Sequence, residues 1–257
     1  MKGESMPLTS RIVVPLVAVA VFVAVDWFTS GASWSLVLSL TEGRSPLFRV
    51  LTTGVAHYFV PMILVPMTVT AVLVRPANTL RMLGLSRGAA AGLGFAFVAT
   101  LPLGAVFAAI APASDMETLL VRWLGYCLFP GIAEEVLFRA FLFGLLVRVA
   151  GWRFLPAATL GAVIFGIGHL YQGESPAEAA GVFAITLAAG LWWAWLYVRW
   201  DFNLYVPIGF HVFMNSWFNV FDVSETARLP MAGEVTRAAV VVASVIATLL
   251  LKRKRPR

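Results

Sequence analysis

Eight long apolar segments run along the chain and constrain its fold more than any other feature. A helix needs about 20 mostly apolar residues to cross the hydrocarbon core of a bilayer. Runs near this length occupy residues 12–28, 51–74, 89–111, 119–150, 154–171, 179–198, 203–221 and 235–251. We therefore predict an all-α fold, a polytopic membrane helix bundle of about eight transmembrane helices.

The composition agrees with a membrane protein and excludes a soluble domain. The 257 residues are 60% hydrophobic and 12% charged, which leaves too few charges to solvate the surface of a globular protein. This length holds one unit, so we predict a single integral membrane domain over residues 1–257, whose first apolar segment is a retained helix. The single cysteine, Cys127, excludes an internal disulfide and a cysteine-rich metal site.

Basic residues lie mostly at segment ends, and their distribution predicts the orientation of the chain. With the N-terminus inside, 13 lysines and arginines face the cytoplasm and five face outside, which favours cytoplasmic termini and a multi-pass protein of the cytoplasmic (inner) membrane. Because most basic residues lie at segment ends and not on a soluble face, we expect no nucleic-acid partner. The lipid bilayer is the expected surroundings of the protein. The internal residues are Lys2, Arg11, Arg75, Arg81, Arg87, Arg148, Arg153, Arg199 and five in the tail 252–257; the external ones are Arg44, Arg49, Arg122, Arg228 and Arg237.

The fourth apolar segment, residues 119–150, is too long for one simple span. Its Pro130-Gly131 pair predicts a kink or a break, with residues 119–129 lying partly along the membrane surface. Between the second and third segments, "NTLRMLGLSRG" predicts a short interfacial helix.

Few ionisable residues fall at membrane depth, where each costs roughly 2.5–3.5 kcal/mol. Glu135 and Arg139 are four residues apart, so on a helix they share one face and can pair. Glu134 points about 100° away and lacks that partner, which makes it the free carboxylate. The full set at this depth is Asp26, His57, Glu134, Glu135, Arg139, His169 and His211.

Two further segments carry polar groups at helical spacing. His169 follows Phe165 by four residues, and Asn215 follows His211 by four. If these helices meet, Glu134 can take a proton from a water that His169 helps to hold, and His211 and Asn215 can donate hydrogen bonds to an oxyanion. Such a pocket predicts a hydrolytic site without a covalent nucleophile.

Three short motifs support this chemistry. "EEVLFR" (134–139), "FGIGH" (165–169) and "HVFMN" (211–215) resemble the EExxxR, FxxxH and HxxxN motifs of the CPBP family. This family includes the type II CAAX prenyl endopeptidases and bacterial intramembrane proteases linked to bacteriocins and protein sorting. The resemblance covers about residues 115–222, which we take as the catalytic core, and it implies that a membrane-anchored protein or peptide is the substrate.

The resemblance also implies a role for each matching residue. Glu134 would be the principal catalytic glutamate, with His169 as its partner on the water. His211 and Asn215 would form the oxyanion site. Glu135 and Arg139 would support the first motif, and Phe165 would pack the pocket.

A zinc ion is the alternative to this metal-free chemistry. Glu134, His169 and His211 form a legitimate zinc ligand set, and the family has often been labelled metalloprotease. The sequence has no HExxH motif and shows no evident carboxylate behind either histidine, so we favour a reaction that requires no cofactor. A transporter and a catalytically inactive scaffold or immunity protein are the competing function classes.

Other polar and aromatic residues have structural interpretations. His57 is expected to be a hydrogen-bonded interior histidine, and Asp26 an interfacial group near the end of the first span. Trp192, Trp193 and Trp195 are interpreted as an aromatic belt at the membrane surface. The position of His169 near the outer end of its span favours access from outside, whereas the prenyl-processing relatives imply a cytosolic opening.

Overall fold

The computed structural model describes residues 8–86, 88–221, 223 and 230–252 of the chain. Parts of the topology prediction fall outside these residues: Lys2, Arg87, Arg228 and the tail beyond Lys252. The single domain and the boundaries of the catalytic core at 115–222 stay predictions.

Nine helices make up the described part of the chain, joined by short turns. A 3₁₀ turn at Pro76–Asn78 precedes α3, and another at Leu170–Gln172 follows α6. Apart from one isolated bridge between Ala113 and Phe221, the described residues form no β-structure, which confirms the all-α prediction. The helices are α1 (8–41), α2 (Pro46–Val74), α3 (Thr79–Met82), α4 (Ala89–Ile110), α5 (116–148), α6 (Phe154–Ile167), α7 (Pro176–Arg199), α8 (Tyr205–Val220) and α9 (Met231–Leu251).

The eight long helices coincide with the eight predicted apolar segments, and the chain is a polytopic helical bundle. Five stretches within the described residues are long and apolar enough to cross a membrane by length and composition: α2, α4, residues 154–172 (α6 with its 3₁₀ turn), α7 and α9. Within α1, Ile12–Trp27 is a shorter apolar stretch. The prediction of eight spans is therefore matched by eight long helices, five of which meet that criterion.

Helix α1 is longer than predicted. It continues beyond residue 28 through a π-helical turn at Phe28–Ala32 and ends at Thr41. Hydroxyl groups beyond residue 28 bond back along the helix, as Thr29 Oγ1 does to the carbonyl of Val25 at 2.9 Å. Asp26 lies next to the end of the apolar stretch Ile12–Trp27, as predicted, although the helix itself continues beyond it; its interfacial role stays a prediction.

Helix α5 runs unbroken through Pro130, so of the predicted kink or break, the break is absent. A π-helical turn at Leu124–Leu128 comes directly before the stretch that contains Pro130. Proline lacks the N–H that an α-helix needs at this point, and a wider turn accommodates this without ending the helix.

The middle of α5 lies at the centre of the bundle. Every residue in its π-helical stretch Glu135–Phe143 is buried, and α1, α2, α6 and α7 all contact this stretch. The preceding turns, Phe129–Glu134, pack on α8. The first and third motifs are therefore carried on helices that touch.

Helix α8 is held against α4 by small residues. A Cβ added to Gly209 of α8 would lie 2.6 Å from the Cβ of Ala96 in α4, so only glycine permits this approach. Apolar side chains such as Leu16, Val72 and Leu155 stay exposed on the outer faces, as helices that face lipid require.

One end of the bundle collects basic residues. Arg148, in the last turn of α5, donates to the backbone carbonyl of Met82 and lies over the ring of Phe202 at 4.5 Å. Lys252, at the end of α9, lies 3.3 Å from the carboxylate of the neighbouring Asp201. Two residues that the charge distribution assigns to the cytoplasmic side thus share one end of the molecule.

Candidate active site

The predicted pair of Glu135 and Arg139 is present at the centre of the bundle. Oε1 of Glu135 lies 3.0 Å from a terminal nitrogen of Arg139, and both side chains are almost fully buried. The guanidinium of Arg139 also lies 4.6 Å from the ring centre of Phe165 and 5.0 Å from that of Trp193. Aromatic faces and one carboxylate therefore surround the charge of Arg139.

Glu135 has a second partner that the sequence did not reveal. Its Oε1 lies 2.9 Å from Nδ1 of His211, so one carboxylate oxygen joins an arginine of its own helix to a histidine of α8. This corrects the expectation that neither histidine has a carboxylate behind it. Because an ionised carboxylate only accepts hydrogen bonds, Nδ1 of His211 donates the proton and Nε2 is left facing the site.

Glu134 faces the opposite nitrogen of the same ring. Its Oε2 lies 3.8 Å from Nε2 of His211, too far for a direct hydrogen bond and short enough for one water to contact both. The Glu134 side chain is 17% exposed whereas that of Glu135 is fully buried. Oε2 of each glutamate accepts no hydrogen bond from the described residues, so what sets the two apart is Oε1 of Glu135, which binds both Arg139 and His211. The predicted contrast between the two glutamates is confirmed.

His169 lies in the turn after α6, at the border of the cluster. Its Nδ1 is 2.7 Å from the carbonyl of Phe165, and the two rings pack with centroids 4.4 Å apart. The Phe165 ring is in turn 6.3 Å from that of His211. Phe165 therefore contacts the histidine of its own motif and lies near that of the other, as its predicted packing role requires.

Asn215 ties α8 to α5 one turn beyond His211. Its Nδ2 donates to the backbone carbonyl of Tyr126 at 3.1 Å. An asparagine amide carries two N–H donors, so this bond leaves one of them unused. Neighbouring Ser216 strengthens the same contact by accepting from the indole of Trp123 at 2.8 Å.

The zinc ligand set named from the sequence is not assembled. Within the described residues no three side chains of His, Cys, Asp or Glu lie close enough together to hold a metal ion. Glu134 and His211 face each other, but His169 is not grouped with them; its Nδ1 binds the Phe165 carbonyl, a bond that by itself leaves Nε2 able to bind a metal. These residues, as arranged, do not fit a three-ligand zinc site.

Trp193 is a member of the cluster that the sequence interpretation missed. Its indole stacks on the ring of His211 with centroids 4.6 Å apart and an angle of 22°. Trp192 and Trp193 are both buried, so the prediction of an aromatic belt is wrong for these two. A usable signal existed in α7, where the inward-facing residues Thr186, Gly190, Trp193 and Tyr197 recur every three or four positions.

Tyr58, on α2, is a second residue that the sequence interpretation did not connect with the site. It lies close enough to Glu134 to interact with it electrostatically. The adjacent His57 is bonded to Ser33 of α1, with Nδ1 2.9 Å from Oγ, and its ring packs on Tyr58 at 4.6 Å. This confirms the prediction that His57 is a hydrogen-bonded interior histidine.

An apolar cavity of about 520 Å³ opens beside the cluster, between α2 and α5. Its wall includes Tyr58, which interacts electrostatically with Glu134, so the cavity and the candidate carboxylate are neighbours. The other lining residues are Leu51, Gly54, Val55, Phe59, Ile63, Leu128 and Phe129.

Comparison with known proteins agrees with the motif resemblance. Residues 116–217 match the family model described as Type II CAAX prenyl endopeptidase Rce1-like, and this range contains all three motifs. The match supports an intramembrane CAAX-type endopeptidase in general. No curated protein and no solved structure matches the chain.

Proposed function

With residues 116–217 assigned to the CPBP/CAAX-like family, we propose that this membrane protein is an endopeptidase that hydrolyses a peptide bond of a membrane-associated protein or peptide. One observation carries the proposal: Glu134 and His211 face each other across 3.8 Å, and His211 is backed by Glu135. This gap suits one water molecule between a base and a ring nitrogen.

In the proposed reaction, Glu134 takes a proton from the water while the oxygen of that water bonds to the carbonyl carbon of the substrate. The carbonyl electrons move onto oxygen and form an oxyanion. When this intermediate collapses, the carbon–nitrogen bond breaks and Glu134 returns the proton to the departing nitrogen. The products are a carboxylic acid, which then ionises, and an amine, which can take up the released proton; no covalent enzyme intermediate forms.

His211 and Asn215 are the proposed donors to the oxyanion. Nδ1 of His211 is engaged by Glu135, so Nε2 donates to the oxyanion when the ring carries a proton on both nitrogens. Asn215 supplies its remaining N–H. His169 is proposed to hold the attacking water from the side of α6.

The cavity between α2 and α5 is the proposed seat of an apolar part of the substrate. It adjoins Glu134, and most of the side chains that line it are apolar. A substrate anchored in the bilayer could enter it laterally without leaving an apolar environment.

We propose a metal-independent reaction, because His169 is not brought against Glu134 and His211. The zinc-dependent version is the alternative. We further propose that both termini are cytoplasmic and that the site is reached from the end opposite the basic residues. The exposed ring of Tyr126, whose carbonyl binds Asn215, supports access from that end.

The test is a comparison of peptide termini in membrane and secreted fractions of cells expressing wild type, Glu134→Gln, or Glu42→Gln, a change at an exposed carboxylate outside the cluster. We expect specific termini to be lost with Glu134→Gln alone, at equal amounts of inserted protein, and these name the substrate. Identical termini in all three would instead favour a scaffold or a transporter. Ion-flux measurements in liposomes then separate those two.

A further inference from the structure

We propose that Trp193 is a positioning residue, which holds the ring of His211 with Nδ1 on Glu135 and Nε2 towards Glu134. The effect of Trp193 on cleavage rests on the proposed function. Its effect on the orientation of the His211 ring does not. Trp193 contacts both groups that bind Glu135: it stacks on His211 at 4.6 Å and lies 5.0 Å from the guanidinium of Arg139.

The orientation of His211 needs such a support. Rotation about the bond to an imidazole ring is broad, and a half turn would move Nδ1 away from Glu135 and Nε2 away from Glu134. A single hydrogen bond of 2.9 Å opposes that rotation. The near-parallel indole, inclined by 22°, covers one face of the ring and restricts the turn sterically.

Trp193 also favours positive charge in this buried place. Its π-face attracts the guanidinium of Arg139, and it attracts the ring of His211 when that ring is protonated. Phe165 lies on the same guanidinium at 4.6 Å, and its ring is inclined by 72° to that of Trp193. The positioning of His211 and the retention of Arg139 beside Glu135 are therefore coupled through one indole.

The preceding tryptophan provides a matched control. Trp192 and Trp193 lie on the same helix with 8% and 6% of their surface exposed. Trp192 instead donates its indole N–H to Ser244 at 3.2 Å and packs against Phe210 at 4.8 Å. A Trp→Leu change at either position removes similar buried area, but only one removes the stack on His211.

The experiment is NMR of ring-labelled histidines in lipid nanodiscs, with the three histidine signals assigned by substituting each in turn. A ring N–H bonded to a carboxylate gives a distinct downfield resonance. We expect Trp193→Leu to abolish this signal of His211, and Trp193→Phe and Trp192→Leu to retain it. Trp193→Met, which fills space without an aromatic face, serves if the leucine variant does not fold. A retained signal in the non-aromatic Trp193 variants, or an equal loss in Trp192→Leu, overturns the proposal.

The catalytic part is measured on the peptide identified by the comparison of termini. We expect Trp193→Leu to lower kcat about 10- to 100-fold with KM unchanged, and Trp193→Phe to restore most of the rate. An equal fall in kcat for Trp192→Leu would show that Trp193 contributes only to packing. If Glu134→Gln leaves all termini unchanged, the proposed function fails, while the NMR result still decides the orientation of His211.

Discussion

The carboxylate of Glu135 and the ring of His211 are joined by a 2.9 Å hydrogen bond that links α5 to α8 at the centre of the bundle. The same carboxylate oxygen lies 3.0 Å from Arg139. Glu135 therefore binds two partners. Glu134, the preceding residue, is partly exposed and faces Nε2 of the same histidine. Two adjacent glutamates thus have separate tasks because a helix turns by about 100° between them.

The separate tasks predict opposite effects of two isosteric changes. Glu135→Gln removes the carboxylate that is paired directly with the buried Arg139, and we expect it to cost about 3–5 kcal/mol of stability, or roughly 10 °C in Tm for a chain of this size. Glu134→Gln removes a carboxylate whose Oε2 has no hydrogen-bond partner among the described residues, so no bond at that oxygen is lost. We expect it to change stability by less than about 1 kcal/mol. Thermal unfolding of the purified proteins in detergent measures both.

Each variant serves as the control for the other, because they differ by one position in α5. Equal destabilisation by the two changes would contradict the division of roles. So would cleavage that survives Glu134→Gln and is lost only in Glu135→Gln without unfolding.

The spacing of charges within α5 was sufficient to predict its internal pair and its free carboxylate. Glu135 and Arg139 are four residues apart, and local helix geometry alone brings them together. The bond from Glu135 to His211 could not be predicted in this way, because 76 residues separate the partners. It depends on how closely α5 and α8 approach, which is decided by packing.

That close approach depends on Gly131, one turn before Glu135. A Cβ at this position would lie 2.6 Å from Cγ2 of Val212 and 3.2 Å from its backbone nitrogen. We expect Gly131→Ala to push α8 away, to break the contact between Glu135 and His211, and to lower cleavage at least about tenfold. Initial rates with equal amounts of inserted protein measure the loss.

Gly161→Ala in α6 is the matched control for Gly131→Ala. The nearest atom to its added Cβ would be a methyl group of Leu142 at 3.9 Å, an ordinary contact. We expect this variant to cleave at the wild-type rate. A Gly131→Ala protein that retains full activity would show that the α5–α8 approach does not set the site.

Trp193 shows a second limit of the sequence. A tryptophan near a span end is typical of a membrane-surface belt, and Trp192 and Trp193 have the same local sequence environment. Their burial against different neighbours, Phe210 for Trp192 and His211 for Trp193, arises only when α7 packs on α8. The spacing of Thr186, Gly190 and Trp193 indicates which face of α7 points inward. It does not indicate which residue of α8 that face contacts.

Metal removal tests the choice between the two hydrolytic mechanisms. Because His169 does not join Glu134 and His211 in one group that could hold a metal ion, we expect cleavage to be unchanged after dialysis against a zinc chelator. The purified protein in nanodiscs, assayed on its identified peptide before and after chelation, gives the measurement. Loss of activity that added zinc restores would establish the zinc-dependent alternative and would require His169 to move.

The apolar cavity predicts an effect on substrate binding that is separate from the chemistry. A Cβ on Gly54 would lie 2.5 Å from the ring of Phe129, and both residues line the cavity, so Gly54→Ala must push that ring and narrow the space. Glu134, Glu135 and His211 are left in place. We expect KM to rise about tenfold with kcat unchanged, which corresponds to a loss of about 1.4 kcal/mol in binding.

Gly94→Ala in α4 controls for the loss of a glycine in a membrane helix, because no atom lies within 4 Å of its added Cβ. Steady-state cleavage in nanodiscs, over a range of substrate concentrations, separates KM from kcat for both variants. An unchanged KM in Gly54→Ala would show that the substrate does not use this cavity. A fall in kcat alone would instead mean that Phe129 supports Glu134 through α5, and the apolar part of the substrate would have to bind elsewhere along the bundle.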